Sequence, residues 1–542
     1  MRERPGKEAV YEQFAADGIE YIFGNPGTTE QGFLDAGADA ATDYVLTLHE
    51  GVAVGMADGY ARAAQRPGVV QLHAGVGLGN AIGLLYQAKR GGSPLVALVG
   101  EAGVRYDAMD AQMAADLVAM AEPVTKYATR VLDPGSVLRV LRRAIKIAMT
   151  PPCGPVVVAL PGDVLDQPTA EPAVPSTLPA TRVVPEPSLV ATAVQELLAG
   201  ERRLILMGDG VAASGAQREL TEVAERLDAP VWGVNSSEVN FDTTHRLYGG
   251  QLGHMFGRDS ARVVGDADSV LIVGTYVFPE VFPHLASPFK ADARIVHIDL
   301  DAYEIAKNFP VSVGLVADPK LSLGALTREL ERQRPAGWPG PTRHPAGAEP
   351  VAAPAVGDGE SGVLEAFAAR LAERAPDDLI VFDEALTASG PLLRGLPPRE
   401  PGTFFQTRGG SLGVGIPGAL GVKLARPDAT VVGLTGDGGS MYTIQALWTA
   451  ARHGIDAKFV ICNNGRYRLL DDNIEQYWAE LGVPSHEPPA AFDLTRPAIA
   501  FAGLAEAMGV RALTVEKPRQ VDAAVEELFT ASGPLLVDLR IP

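Results

Sequence analysis

Two short segments carry residue types that could hold an anion and a metal ion: Gly436-Asp437-Gly438-Gly439-Ser440 and, further on, Asn463-Asn464-Gly465. An aspartate between glycines suits a sharp turn that comes close to a ligand, because glycine has no Cβ to block the approach. Glycine N–H groups at a helix start can hold a phosphate. A carboxylate and an amide oxygen beside that phosphate make a hard-oxygen site suited to Mg²⁺, which usually shares its shell with phosphate oxygens. Together the two segments read as a holder for a metal diphosphate. GDG alone is a weak signal, since Gly is 59 of 542 residues and a second GDG stands at Gly208–Gly210. A tight turn followed by an ordinary Asn-Asn-Gly turn would leave the same trace.

The flanking elements strengthen the first reading. VVGLT before the glycine turn and AKFVIC before the asparagines read as buried parallel strands. Met441 to His453 has helical length and ends at Gly454, a glycine stop. In a strand–turn–helix–strand unit both strands point the same way, so Asp437 and Asn464 emerge at one carboxyl edge. That is the edge where open α/β sheets bind ligands.

The whole chain repeats this alternation. YIFG, YVLTL, GVVQLHA and PLVALVG read as strands of a first part, with GVAVGMADGYARAAQ as a helix between them. RRLILMGDG, DSVLIVG and ARIVHIDLD serve the second part, with ELTEVAERL as a helix. DLIVFDE, TVVGLTGDG, AKFVICNN and PLLVDLRI serve the third. Proline-rich stretches at 166–188 and 333–360 read as linkers, leaving three α/β domains with mainly parallel sheets at 1–165, 189–332 and 361–542.

Bulk properties exclude several classes. Lys+Arg 46 against Asp+Glu 66 gives a net charge of −20, which argues against nucleic acid or an anionic membrane as partner. Two cysteines, Cys153 and Cys462, support neither a disulfide framework nor a cysteine zinc site. No apolar run reaches transmembrane length, and MRERPGKEAVYEQF is not a signal peptide, so a cytoplasmic location is expected.

GDG, then 24 residues (439 to 462), then NN resembles the signature of the thiamin-diphosphate-dependent 2-oxo acid decarboxylase and carboligase family. TLHEGVAVGMADGYARA is similar to the segment that carries this family's catalytic glutamate, here Glu50. GNPGTTE, LHAGVGLGNA and RGGSLGVGIPGALG look most like benzoylformate decarboxylase and its relatives. The resemblance implies a pyrimidine-binding, a central and a diphosphate-binding domain, covering essentially the whole chain. It implies thiamin diphosphate and Mg²⁺ as cofactors, the metal held by Asp437, Asn464 and the carbonyl of Arg466. Glu50 would share a proton with the aminopyrimidine, while His73 and Thr28 would face the substrate. The cofactor would further touch Asn25, Pro26, Gly27, Asn80, Gly410, Leu412, Gly436, Gly438, Gly439, Ser440 and Tyr467. Gly410 would accept from the 4′-amino group and Leu412 would wedge the cofactor into its bent form. The implied activity is non-oxidative decarboxylation of a 2-oxo acid, with carboligation of the enamine to aldehydes. A homodimer or homotetramer, with sites built between subunits, is implied as well.

Simpler roles stand beside these. Glu50 could serve only as an acid opening its helix, Leu412 only as core, and His73 only as a structural histidine. Two features depart from the benzoylformate decarboxylase pattern. Where that group has a second histidine the sequence has Val281, with His284 three residues away. The segment RYRLLDDNIEQYW is polar, so Asp471, Asp472 and Asn473 are either a solvated face or the mark of a more polar substrate. VHIDLDAYEIAKN also resembles acetolactate synthases, and GDGVAASGA reads as a βα turn rather than a dinucleotide site. The rival readings are an acetolactate-synthase-like carboligase and a non-catalytic regulatory subunit.

Overall fold

The computed structural model describes residues 3–253, 255–333 and 362–541. The segment expected to link the second and third domains therefore falls, from residue 334, outside the described residues. Two compact units form: Met1–Pro179 with Asp358–Leu392 and Thr407–Pro542, and Ala180–Gly357 with Leu393–Gln406.

The first unit contains two parallel sheets. One is six-stranded, in the order Asp43–Leu46, Tyr21–Gly24, Gly68–His73, Leu95–Glu101, Val156–Pro161, Tyr127–Arg130. Its central strands are covered on both faces, which is why GVVQLH and LVALVGE are nearly continuous apolar runs rather than alternating ones. The chain order reverses between Tyr21–Gly24 and Gly68–His73, so the carboxyl ends of those two strands open a crevice. The other sheet runs from Leu379–Glu384 through Thr430–Gly436, Ala457–Asn463 and Leu535–Arg540 to Arg511–Val515, each neighbouring pair parallel. Asp437 and Asn464 thus follow adjacent parallel strands.

The helix expected over Met441–His453 forms only from Ala446 to His453. Asp437–Ser440 is a separate short turn of helix. Between them the Thr443 hydroxyl donates to the Gly413 carbonyl at 2.6 Å, which fixes the chain in a turn where a helix would otherwise continue. Gly454 ends the later helix at φ 61°, a left-handed position that glycine takes at low cost.

Helix Glu50–Ala64 crosses helix Gly415–Ala425 at backbone contact. A Cβ added at Gly59 would lie 2.1 Å from the Gly418 carbonyl oxygen, and one at Gly421 would lie 2.0 Å from that of Met56. No side chain can be seated there without parting the helices.

The second unit holds a six-stranded sheet in the order Tyr248–Gln251, Val231–Gly233, Arg203–Met207, Ser269–Val273, Arg294–Asp299, Val313–Val316, all parallel. Its GDG is a packed βα turn. The Asp209 carboxylate accepts from the Ser237 N–H at 2.9 Å, the Glu238 N–H at 3.1 Å and the Asn240 amide at 2.8 Å. A Cβ on Gly210 would sit 2.5 Å from the Gly274 Cα, so this turn packs directly on the chain that follows strand Ser269–Val273. His297 is structural, with Nε2 against the Thr275 carbonyl at 2.9 Å and Nδ1 accepting from Ala306 N–H at 3.3 Å. Val281 and His284 both lie in an exposed stretch of this unit. Among the described residues, no helix is long and apolar enough to cross a membrane.

The helix crossing sets a stability test. Gly59→Ala improves local helix propensity by about 1 kcal/mol, yet overpacking typically costs about 1–3 kcal/mol. The expected net result is a lower melting temperature, read by calorimetry. An unchanged or raised melting temperature would show that the helices can separate freely.

Candidate active site

Three groups of side chains are assembled in the first unit. The first surrounds Glu50, the opening residue of its helix and only 4% exposed. Capping of that helix falls to His49, whose Nδ1 accepts from the Gly51 N–H at 2.9 Å. Glu50 is thereby released from capping and accepts instead from the Asn25 amide at 3.2 Å and the Asn80 amide at 2.9 Å. Asn25 comes from the loop after strand Tyr21–Gly24, and Asn80 from helix Ala74–Gly91. Gly77 faces the same carboxylate, where a Cβ would approach Oε1 to 3.2 Å.

The second group stands at the crevice between the two reversed strands. His73 ends its strand, and its Nδ1 lies 3.0 Å from Glu30 Oε2 and 3.1 Å from Thr29 Oγ1. Thr29 also donates to Glu30, and the Gly27 N–H reaches Glu30 Oε2 at 3.0 Å. The hydroxyl beside the histidine is therefore that of Thr29. Thr28 is exposed and borders, with Ala74, Gln31, Tyr106 and Gln112, a cavity of about 520 Å³. Ala74 holds φ 44°, a costly conformation for a non-glycine residue, immediately after the histidine. Only glycine fits at position 27, since a Cβ there would meet the His73 ring at 2.2 Å. Glu30, buried at 2% exposure, was not singled out from the sequence, although its spacing from Gly27 is that of a capping-box glutamate.

The third group is the glycine turn and the asparagine pair. Asp437 is 4% exposed; Oδ1 accepts from the Gly438 N–H at 2.8 Å and Oδ2 from the Gly465 N–H at 2.7 Å. Burial pushes its pKa up, and the N–H groups of Gly438, Gly465, Arg466 and Asn464 oppose that shift. Asn464 Oδ1 accepts from the Arg466 N–H at 3.0 Å. The two asparagines divide the work, because Asn463 points back into the sheet and donates to Asp538 at 2.9 Å. Ser440 is likewise used internally, its hydroxyl donating to the Asp437 carbonyl at 2.7 Å. The Tyr467 ring covers Gly438, where a Cβ would come within 2.3 Å of it.

Gly410 and Leu412 belong to a loop whose far end is clamped by a residue the sequence reading passed over. Glu384 ends strand Leu379–Glu384 at 1% exposure and accepts from the N–H groups of Gly413 at 2.6 Å, Val414 at 3.3 Å and Gly415 at 2.7 Å. Thr435, at the end of the neighbouring strand, adds its hydroxyl at 3.3 Å. Gly410 itself is exposed at φ 82°, Leu412 is half-buried, and a Cβ at Gly410 or at Gly436 would meet nothing within 4 Å. The only sequence signal for Glu384 was an acidic pair closing an apolar strand, DLIVFDE.

Comparison with known proteins places these groups in context. Three family profiles match: the N-terminal TPP-binding domain of thiamine pyrophosphate enzymes over residues 4–120, their central domain over 190–326, and their C-terminal TPP-binding domain over 390–539. The chain is 34% identical to benzoylformate decarboxylase of Pseudomonas aeruginosa over 98% of each protein. It belongs to the thiamine pyrophosphate enzymes. It is also 28% identical to acetolactate synthase isozyme 3 large subunit of Escherichia coli, over 97% of this chain and 92% of that one. Among solved structures, the thiamine diphosphate-dependent 4-hydroxybenzoylformate decarboxylase of Rhodococcus jostii RHA1 superposes with a TM-score of 0.86, at 28% identity and 99% coverage of both chains.

The residues of this thiamine pyrophosphate enzyme fit the groups its family binds. Open space at Gly410 and Gly436 leaves backbone accessible beside the two loops. One carboxylate, one amide oxygen and backbone carbonyls are a hard-oxygen set suited to Mg²⁺. That set contains no cluster of acids, and among the described residues no group of three or more His, Cys, Asp or Glu side chains is arranged to hold a metal.

Glu384 gives the enzyme a pH-dependent contribution to stability. Burial raises its pKa from 4.5 to about 7, against the pull of the Gly415, Gly413 and Val414 N–H groups and the Thr435 hydroxyl. The folded state thus binds a proton there that the unfolded state releases near 4.5. The resulting stability is present below pH 4.5 and is lost as pH rises through 7. In Glu384→Gln that dependence disappears. The unfolding free-energy advantage of the unaltered protein over the variant, read from denaturant titrations, should shrink as pH rises from 4.5 to about 7, by on the order of 1 kcal/mol per pH unit at its steepest. A constant difference would mean that Glu384 titrates alike in both states.

Proposed function

We propose that this enzyme catalyses non-oxidative decarboxylation of a 2-oxo acid and joins the acyl fragment that remains, with the electron pair CO₂ leaves behind, to acceptor aldehydes, using thiamin diphosphate and Mg²⁺. The supporting observation is Glu50: a buried carboxyl, excused from helix capping and oriented by two asparagine amides in an N-terminal TPP-binding domain. Likeness to benzoylformate decarboxylase over 98% of the chain agrees with the reading.

Bound thiamin diphosphate supplies a nucleophilic carbon and an electron sink for the bond that CO₂ leaves. Glu50 holds a proton toward the aminopyrimidine N1′, and Asn25 and Asn80 fix the direction of its carboxyl. Asp437, Asn464 and the Arg466 carbonyl would hold the cation, and the Gly436–Gly439 turn would receive phosphate. Leu412 would lie against bound cofactor, and Glu384 fixes the loop that carries it. Glu30 occupies Nδ1 of His73, which leaves Nε2 to exchange a proton with substrate or product. Thr28 borders the cavity that would take the oxo acid's side chain.

We read each site as shared between two copies of the chain, in a dimer or tetramer. Leu48, Val76 and Tyr86 are 46%, 55% and 46% exposed around the Glu50 half, and Met441 and Tyr442 are 40% and 54% exposed beside the glycine turn. Apolar surface next to both halves suits coverage by a second copy. An acetolactate-synthase-like carboligation is the second reading, favoured by the 28% identity to the Escherichia coli enzyme. Products formed from pyruvate alone, acetaldehyde or acetolactate, separate the two.

The decisive experiment pairs two variants. Glu50→Gln should bind thiamin diphosphate with near-normal affinity in calorimetry while slowing deuterium exchange at cofactor C2 by orders of magnitude. Asp437→Ala should weaken cofactor binding far more than it lowers the melting temperature of the cofactor-free protein, which should fall modestly as the Gly438 and Gly465 N–H groups lose their acceptor. EDTA should release cofactor from the unaltered protein. Normal exchange in the first variant, or tight binding by the second in EDTA, would defeat the assignment.

A further inference from the structure

The loop that would hold the cation is tied on both sides, and one tie belongs to this chain's own departures from pattern. On one side its backbone joins a following segment: Gly465 O accepts from the Leu494 N–H at 2.8 Å, Tyr467 N–H donates to Phe492 O at 2.9 Å, and Arg466 bridges Asp493. On the other side the Arg466 guanidinium grips Asp471 with two parallel bonds, Nε to Oδ2 at 2.7 Å and Nη2 to Oδ1 at 2.8 Å. Both side chains are largely shielded, Asp471 at 15% exposure and Arg466 at 33%. The Arg466 hydrogen bond is the main reason the Asp471 carboxyl sits below its usual range. Of the nearby carboxylates, Asp493 also faces the guanidinium, but it is engaged by the Thr495 N–H and hydroxyl. Asp472 turns the other way, toward Arg468 at 3.8 Å.

Asp471 stands in the first turn of helix Arg468–Leu481. That helix buries a single side chain, Trp478, close to its far end. A helix of 14 residues with so little apolar anchorage draws little stability from packing. Its near end is held by the Arg466–Asp471 pair and by the Leu470 N–H, which donates to the Tyr467 carbonyl at 2.8 Å. A bidentate, charge-assisted pair fixes direction as well as distance, which a single lysine nitrogen cannot do.

We infer that Arg466 and Asp471 form a clasp that couples the cation loop to helix Arg468–Leu481, with Asp471 the positioning residue that aims the Arg466 carbonyl. This rests on the metal site proposed above. The clasp gives the arginine at this position a role for its side chain, and it makes Asp471 neither a solvated charge nor a substrate contact. Coupling is reciprocal: an ordered helix favours cofactor binding, and bound cofactor protects the helix.

The test measures thiamin diphosphate and Mg²⁺ binding by calorimetry, and hydrogen exchange over residues 468–481, in the full-length protein. Asp471→Asn and Arg466→Lys should each weaken cofactor binding about tenfold, and the double variant should be no weaker than either single one. The melting temperature of the cofactor-free protein should change little, since a partly exposed ion pair contributes little to stability, so the clasp is read from cofactor binding and from exchange. Cofactor should slow exchange over 468–481 in the unaltered protein and much less in Asp471→Asn. Failure of the unaltered protein to bind cofactor in Mg²⁺ would overturn the underlying site. Binding by the unaltered protein, with both single variants within twofold of it, would overturn the clasp alone.

Discussion

A carboxylate removed from water must be met by hydrogen-bond donors, and that requirement organises the carboxyl edges of both sheets in the first unit. Glu30, Glu50, Glu384 and Asp437 are each 4% exposed or less. Each is met by donors from glycine-rich loops or by amide side chains. Parallel strands make this possible, because their carboxyl ends lie together and their loops bring backbone N–H groups to one place. A buried acid left without donors would cost several times what one hydrogen bond contributes. The loops are therefore shaped around the acids.

The four acids do different jobs because their donors differ. Asp437 and Glu384 are met mainly by backbone N–H groups, which lock loop geometry. Glu50 is met by two side-chain amides, which fix its direction while leaving the backbone free of it. Glu30 spends itself on a histidine, a backbone N–H and a hydroxyl, and so engages one of the two imidazole nitrogens, Nδ1. The Arg466–Asp471 pair extends the same logic outward, with a guanidinium as the donor.

Close packing sets the remaining constraint. The helix that begins with Glu50 crosses helix Gly415–Ala425 at two glycines where no Cβ fits, and that second helix starts at the loop Glu384 holds. The direction of Glu50 and the placement of the Gly410–Leu412 loop thus both depend on one rigid crossing within the unit. Small residues there serve position more than stability, since glycine is a poor helix former.

Much of this was legible in the sequence. Continuous apolar runs marked the parallel strands because both faces of such sheets are covered, and the GDG and Asn-Asn spacing marked a strand–turn–helix–strand unit whose ends share an edge. Asp437 and Asn464 were legible as neighbours at one sheet edge from that spacing, whereas Glu50 and His73 stood out through the resemblance of their segments to a known family. The structure places all four at helix starts or at or just past strand ends, beside glycine-rich loops. What the sequence left undecided is whatever depends on partners far along the chain. Glu384 and Gly413 are 29 residues apart and Glu30 and His73 are 43 apart, so no local pattern reveals either pairing. The helix expected from Met441 was interrupted by a hydroxyl reaching Gly413, 30 residues back. Arg466 and Asp471 are close in sequence, yet RYRLLDD offers each cation more than one acid within a turn, and only the fold selects the pair. Local spacing fixes the periodicity and the turn chemistry, whereas the choice among competing donors and acceptors is made by the tertiary structure, which brings one of them to bonding distance and leaves the rest in water.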